Sequence, residues 1–523
     1  MNVRRNRIAL AAAISLVSMP GLAGAFSDCP ADSVYDGYTC DQQTGAGKNG
    51  GFFRITFPSD WDGDLVIYNH GFDLNDKHIR PHETCSNSSI AAPVACEADV
   101  DCGGGGAFCN DISYSGLDEI LLPMGKAIAA PTYSTSGWAT FESAKDIKDI
   151  LKYVKKESGH GDQLQRVIIT GFSGGGAVTV DATLKLKIDG AVPLCAAAGG
   201  GLPTWDVAMD VRLVYDFLCD GTDGQFPNTS PPDLGLENTN DPSFDAVSMA
   251  TKVDACLGVI GVIPCQLGTC SISGNPCGNG FPDCPGMETC VATPGSCQEA
   301  QDQRLADFLA LTDFSGGAGN VATAMGFATL GLGDFVRDPN RLDYKRIGFN
   351  TVPDLDYATM GVGGPLAASF DADVKRLAQG KGRKKLTKAY FPDYTKGKGG
   401  KIEYPILAMA GAADWLVIPE FQRVFTTALT TGGKAHTQTW IDTFGHCVFS
   451  EEETTAVFNE FFDWLGPVGG PYGTQPSAAD VEAECIALGG VDGVTCNFND
   501  AFVPGPIYDR IPPRSDWPAA AMP

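Results

Sequence analysis

Between about residue 50 and residue 201, short apolar runs alternate with stretches whose apolar residues recur every three or four positions. Phe52–Phe57, Leu65–Tyr68, Ala127–Ala130, Arg166–Gly171 and Ala191–Leu194 read as strands, the fourth of them strongly β-branched. Leu117–Leu122 reads as a short helix, and Ser143–Lys156 as a longer one that places Ile147, Ile150, Leu151 and Val154 on one face. The rhythm resumes near residue 404. Tyr404–Ala410 and Thr437–Ile441 read as strands, and Ile418–Leu429 as a helix. Thr455–Leu465 is a helix with a broad apolar face of Val457, Phe458, Phe461, Phe462 and Leu465. Strands alternating with helices predict an α/β fold around a mostly parallel central sheet.

The two halves of the pattern, 26–201 and 404–465, are separated by about two hundred residues without it. A structureless loop of that length is not expected in a compact domain, so 202–403 reads as an inserted cap or lid. Cysteines crowd 256–297, and Lys375–Lys401 carries ten Lys/Arg against one acid, Asp393. A smaller cysteine-rich insert spans about 73–112, where Cys96-x5-Cys102-x6-Cys109 echoes Cys277-x6-Cys284-x5-Cys290. These Gly- and Asp-rich pieces read as disulfide knots with no apolar core of their own. The tail 466–523 is rich in Pro and Gly, with Cys485 and Cys496 placed to staple it.

Composition narrows the picture. Apolar residues make up 43% and charged residues 19%, a globular balance. Beyond the N-terminus no apolar run is long enough for a membrane span. Residues 1–25 have the form of a signal peptide: Arg4, Arg5 and Arg7, then Ile8–Val17, then Ala23-Gly24-Ala25. Its removal would take the net charge from −26 to −29, a surface that repels nucleic acid. The 18 cysteines are an even number in a chain expected to be exported, and no C-x2-C pair suggests zinc. Asp99-x-Asp101 hints at a structural calcium ion but lacks the remaining EF-hand ligands. No cofactor is called for.

The chemistry concentrates in Gly171-Phe172-Ser173-Gly174-Gly175, a G-x-S-x-G box that follows a buried strand and opens a helix. Such a turn lifts a serine hydroxyl above the sheet. A serine nucleophile needs a base, and the base needs an orienting acid. Of six histidines only His436 and His446 come late enough in the chain; His436 opens a strand, whereas His446 follows one in Phe444-Gly445-His446-Cys447. Asp414, four residues past a buried strand, is the acid expected, with Asp442 as competitor. The amides of Gly174 and Phe72, the latter in Asn69-His70-Gly71-Phe72, are the expected oxyanion donors. His78 and His82 have i, i+4 spacing, but Pro81 breaks the helix a metal pair would need.

Strand–His–Gly, G-x-S-x-G, G-x-x-D-x-x-V and Gly-His, in that order, resemble an α/β-hydrolase of the serine esterase type. Within it the chain is similar to secreted bacterial esterases and depolymerases, including the tannase and feruloyl-esterase group. The resemblance implies a Ser173–His446–Asp414 triad acting on a small or polymeric carboxylic ester through an acyl-enzyme. That group joins a cysteine before the serine to one after the histidine. Here Phe172 precedes Ser173, so Cys447 must pair elsewhere, with Cys195 or Cys219. A secreted serine exopeptidase, or a catalytically silent binding protein on the same scaffold, are the competing expectations.

Overall fold

The computed structural model describes residues 27–28, 39–72, 80–85, 87–88, 94–96, 99–104, 107, 109–135, 137–223, 225–226, 246–259, 265–271, 275–279, 290–292, 296–337, 356–359, 364–374, 376, 402–510, 513–514 and 517. The expected signal peptide, His78 and the basic segment, apart from Arg376, lie outside them. Two compact units emerge: residues up to 65 with 77–134 and 145–165, and residues 66–76 with 135–144 and 166–523.

In the first unit, β1 (Thr39–Ala46) pairs antiparallel with β2 (Phe52–Pro58). Strand β3 (Asp64–Asn69) begins here and ends in the second unit. β4 (Ala127–Pro131) pairs antiparallel with β2. Two sequence expectations change. Two additional strands, a short one at Ser27–Asp28 and β1, precede the first one expected, and this part of the chain is antiparallel. Thr39-Cys40-Asp41-Gln42-Gln43 has little apolar pattern to betray a strand, and β1 is stabilised by its ladder and by polar contacts, such as Asp41 with His160 at 2.8 Å. The knot in 80–112 is held by Cys85–Cys102 and Cys96–Cys109, and its buried cluster consists of cysteines. Those sulfurs lie close together but are committed to disulfides.

In the second unit the strand order is β3, β5 (Arg166–Phe172), β6 (Gly190–Leu194), β7 (Ile406–Ala413), β8 (His436–Phe444). β5 with β6, β6 with β7 and β7 with β8 pair parallel. Helix α1 (Thr140–Lys156) starts in this unit and continues in the first; α2 (Gly174–Lys185) connects β5 to β6. This is the mostly parallel α/β core expected from the alternating pattern of strands and helices. The strands are buried on nearly every residue, as strands of a parallel sheet covered on both faces must be.

The described residues of 202–403 belong to the same unit as these strands and are mainly helical: α3 (Gly201–Cys219), α4 (Ala246–Leu257), α5 (Cys297–Thr312), α6 (Ala318–Arg337) and α7 (Gly364–Asp373). Cys219–Cys256 ties α3 to α4. Helix α3 is buried almost all round, acids included. Arg514, wholly buried, supplies the countercharge. Its Nη2 donates to Asp210 Oδ1 at 2.7 Å, Tyr357 donates to the same oxygen at 2.7 Å, and Trp517 Nε1 donates to Asp206 at 2.7 Å. Burial alone would lower the Arg514 pKa, but the charges of Asp210 and Asp206 hold it above its ordinary value.

After β7 come α8 (Pro419–Thr431), then β8, α9 (Glu451–Leu465) and α10 (Ala478–Ala487). Ser450 and Glu453 form a capping box that starts α9 directly after the segment carrying His446. Cys485–Cys496 staples the tail to itself. Beyond it the tail adds an antiparallel bridge from Phe498 to Ile441 of β8.

Candidate active site

Five strand ends converge on one place. Phe72 follows β3, Ser173 follows β5, Cys195 follows β6, Asp414 follows β7 and His446 follows β8. Carboxyl ends of parallel strands are where an open α/β sheet leaves room for a ligand.

The backbone at Ser173 has φ 57° and ψ −119°, a left-handed conformation costly for a non-glycine residue. Its surroundings enforce it. The Ser173 amide donates to Leu194 O at 3.1 Å, and Ser173 O accepts from Ala177 and Ala197. Glycines flank the turn because nothing larger fits. A Cβ at Gly175 would lie 1.8 Å from Asn69 O, one at Gly171 2.5 Å from the same oxygen, and one at Gly176 2.5 Å from the Ala196 methyl. The G-x-S-x-G-G spelling is therefore a steric record of β3 and β6 crowding this turn.

Ser173 Oγ lies 2.8 Å from His446 Nε2, and His446 Nδ1 lies 2.7 Å from Asp414 Oδ2. With Nδ1–H donating to the carboxylate, Nε2 keeps its lone pair for the serine proton. Asp414 is 1% exposed and cannot swing away, since its Oδ1 accepts from the amides of Leu416 (3.0 Å) and Val417 (2.9 Å). The motif G-x-x-D-x-x-V is thus a loop folded back on its own carboxylate. The competitors stand elsewhere. Asp442 is exposed, and His436 Nδ1 donates to Lys434 O at the opposite end of β8.

His446 is held through its neighbour. Cys447 forms a disulfide with Cys195, one of the two partners expected, while Cys219 is taken by Cys256. Both Cys195 (φ 38°) and Cys447 (φ 55°) have left-handed backbones. Phe172 fills the space before the serine instead of a cysteine, its ring between Tyr68 (6.1 Å) and Phe449 (6.4 Å).

Of the expected oxyanion donors, the Gly174 amide opens α2 and Phe72 N lies against it: a Cβ on Gly174 would be 2.8 Å from that nitrogen. His70 donates from Nδ1 to Gly71 O at 2.8 Å, as a turn residue does. His82 Nδ1 accepts from the Ile112 amide, and burial lowers its pKa. Among the described residues neither joins a group of side chains placed to hold a metal ion.

Ser173 borders a cavity of about 140 Å³. Its wall is apolar and largely aromatic, with Phe72, Trp138, Trp205, Phe314, Phe327 and Trp415 among its residues. An apolar cavity of about 150 Å³ holds a benzene ring, which sets the scale. Trp138 meets Trp205 edge to face at 5.5 Å, and Phe72 contacts both Trp205 and Phe327. The sequence points to Phe72 but not to Trp138, Trp205 or Arg510, which no motif marks. Of the apolar residues on α5 and α6, Phe308 and Met325 are core, Leu311 is buried and also borders the cavity, and Phe327, 38% exposed, faces it.

No family model matches the chain, and no curated protein matches it. Solved structures do, at low similarity. An acylaminoacyl peptidase from Pyrococcus horikoshii is 9% identical over 85% of this chain, with TM-score 0.35. The chain spans 44% of that peptidase's length. An esterase from Aspergillus oryzae is 12% identical over 82% of this chain and 80% of its own, with TM-score 0.39. A Pyrococcus furiosus esterase is 11% identical over 82% and 92%, with TM-score 0.35.

Proposed function

We propose that the protein is an exported serine hydrolase that cleaves carboxylic esters. The observation that carries this reading is the unbroken hydrogen-bond series Ser173–His446–Asp414 at the mouth of an apolar cavity. Ser173 Oγ attacks the ester carbonyl carbon while His446 Nε2 takes the hydroxyl proton. Asp414 keeps Nδ1 protonated and stabilises the imidazolium. The carbonyl oxygen gathers negative charge between the amides of Phe72 and Gly174. Collapse of the tetrahedral intermediate breaks the bond to the alcohol oxygen, which leaves with the proton from His446. Water, deprotonated by His446, then attacks the acyl-serine and releases the acid. No metal or cofactor takes part.

Two further parts of the reading rest on separate observations. Residues 202–403 act as the cap, because side chains of α3, α5 and α6 border the cavity. Export is supported by five disulfides among the described residues, which reducing compartments do not sustain.

The test is a pair of measurements on the mature protein. A fluorophosphonate probe should label it, and p-nitrophenyl acyl esters should turn over far faster than aminoacyl p-nitroanilides. Faster anilide hydrolysis would make it an exopeptidase. Absence of labelling would leave a binding protein.

A further inference from the structure

We propose that Arg510 is a specificity-determining residue: it donates a hydrogen bond to a second, neutral carbonyl oxygen on the group that fills the cavity. The preferred substrates are then diesters, oligoesters or oxo-acyl esters rather than simple alkyl esters. This rests on the ester-hydrolase reading and narrows it.

Arg510 borders the same cavity as Ser173. The cavity's other charged lining residue is Asp210, whose Oδ1 is engaged by Tyr357 and Arg514. Arg510 is aimed and held. Its Nε donates to Glu420 Oε1 at 2.8 Å, and Nη1 donates to Asp313 O at 3.0 Å. Glu420 stands six residues after Asp414 in the first turn of α8, and Asp313 immediately precedes Phe314 of the cavity wall. Two anchors, one in the first turn of α8 and one just after α5, fix the guanidinium plane. Among the described residues its Nη2 makes no hydrogen bond, and the side chain is 19% exposed. A guanidinium has five donors in a rigid fork, so the unused ones present a ready site for an acceptor oxygen.

The charge balance selects the kind of acceptor. Glu420 pairs with Arg510, and the Asp313 carboxylate lies 3.7 Å from it, so two acids surround one cation. A carboxylate arriving there would meet a net negative neighbourhood on a chain of net charge −26. A neutral carbonyl would not.

The experiment uses p-nitrophenyl esters of oxoalkanoic acids with the ketone walked along the chain. Each is compared with the methyl-branched alkanoate of equal length and with the monoester of the matching dicarboxylic acid. The wild-type protein should favour the best-placed ketone over its branched partner in kcat/KM by about 10-fold or more, the worth of a charge-assisted hydrogen bond. Arg510→Met should abolish that ratio and Arg510→Lys retain part of it. Glu420→Gln should raise the dicarboxylic monoester relative to the ketone. Fluorophosphonate labelling and Tm report whether each variant is folded. A variant-independent ratio with labelling intact overturns the role of Arg510. A wild-type preference for the carboxylate overturns the neutral acceptor. Loss of labelling in the wild type overturns the hydrolase reading itself.

Discussion

The turn at Ser173 and the loop at His446 lie side by side, yet they are secured by opposite means. Around Ser173 the backbone is wedged: β3, β6 and α2 leave space for glycine alone, and the strained φ/ψ of the serine has nowhere to relax. Around His446 the chain is a loop between β8 and α9, and a covalent bond from Cys447 to Cys195 does the holding. Packing restrains the first element, and a crosslink restrains the second. Position by packing is inseparable from folding, whereas position by crosslink can be removed while the fold stands.

The largest expected effect treats both regions as one machine. Ser173→Ala and His446→Ala should each lower kcat by at least about 10³-fold with Tm nearly unchanged. Asp414→Asn should fall between these and wild type, and Asp442→Asn should do little, because that side chain is exposed. Steady-state kinetics decide the ranking, and a reversal of the two aspartates would reassign the acid.

Next comes the wedge. Gly175→Ala would set a methyl 1.8 Å from a backbone oxygen, so the strands must shift. The expected outcome is a loss of about 4 kcal/mol or more, seen as insoluble protein or a collapsed Tm. The crosslink should respond differently. The paired Cys195→Ser/Cys447→Ser variant should lose about 2–4 kcal/mol of stability yet still fold. Its kcat should drop about 10- to 100-fold, because the imidazole is no longer held in reach. If this variant keeps full activity, the loop is held by its other contacts, such as Thr443 Oγ1 to Val448 O.

How far all this was legible follows the same divide. The G-x-S-x-G box and the Asp414 loop are local devices, with causes within a few residues, and their form shows in the sequence. The Cys447 partner was not decided, because Cys195 and Cys219 are equally plausible until the ends of β6 and β8 are placed. Strand β1 lacks the apolar alternation that marks a strand. Helix α3 was lost in the insertion because its buried Asp206 and Asp210 erase the apolar stripe, and the cation that excuses them sits some three hundred residues away. Arg510, Trp138 and Trp205 carry no pattern; only folding brings them to the cavity beside Ser173.

The smallest effect concerns the helix behind the wedge. Asp181 of α2 is buried, with Lys185 Nζ 2.7 Å away, and burial raises its pKa from 3.8 to about 6. A carboxyl with a raised folded-state pKa favours the native state when protonated, so its contribution is present below about pH 4 and is lost as pH rises through about 6. Thermal unfolding across that window should show the slope, worth at most about 3 kcal/mol. Asp181→Asn should flatten it, and an unchanged slope would locate the titration elsewhere.

The Cys195–Cys447 bond spans 252 residues, and Cys219 is the first cysteine the chain offers after Cys195. Cys85 likewise bypasses Cys96 to reach Cys102. A chain oxidised in strict order of emergence would therefore trap wrong pairs, among them one that leaves Cys447 without its mate and His446 untethered. Correct pairing requires thiolate attack on those early bonds and their exchange, a reshuffling that takes seconds to hours and depends on an isomerase or a thiol buffer. Yield of competent protein should thus follow the shuffling capacity of the host and not its oxidising power, and a strongly oxidising refolding mixture without free thiol should give soluble material with a silent Ser173.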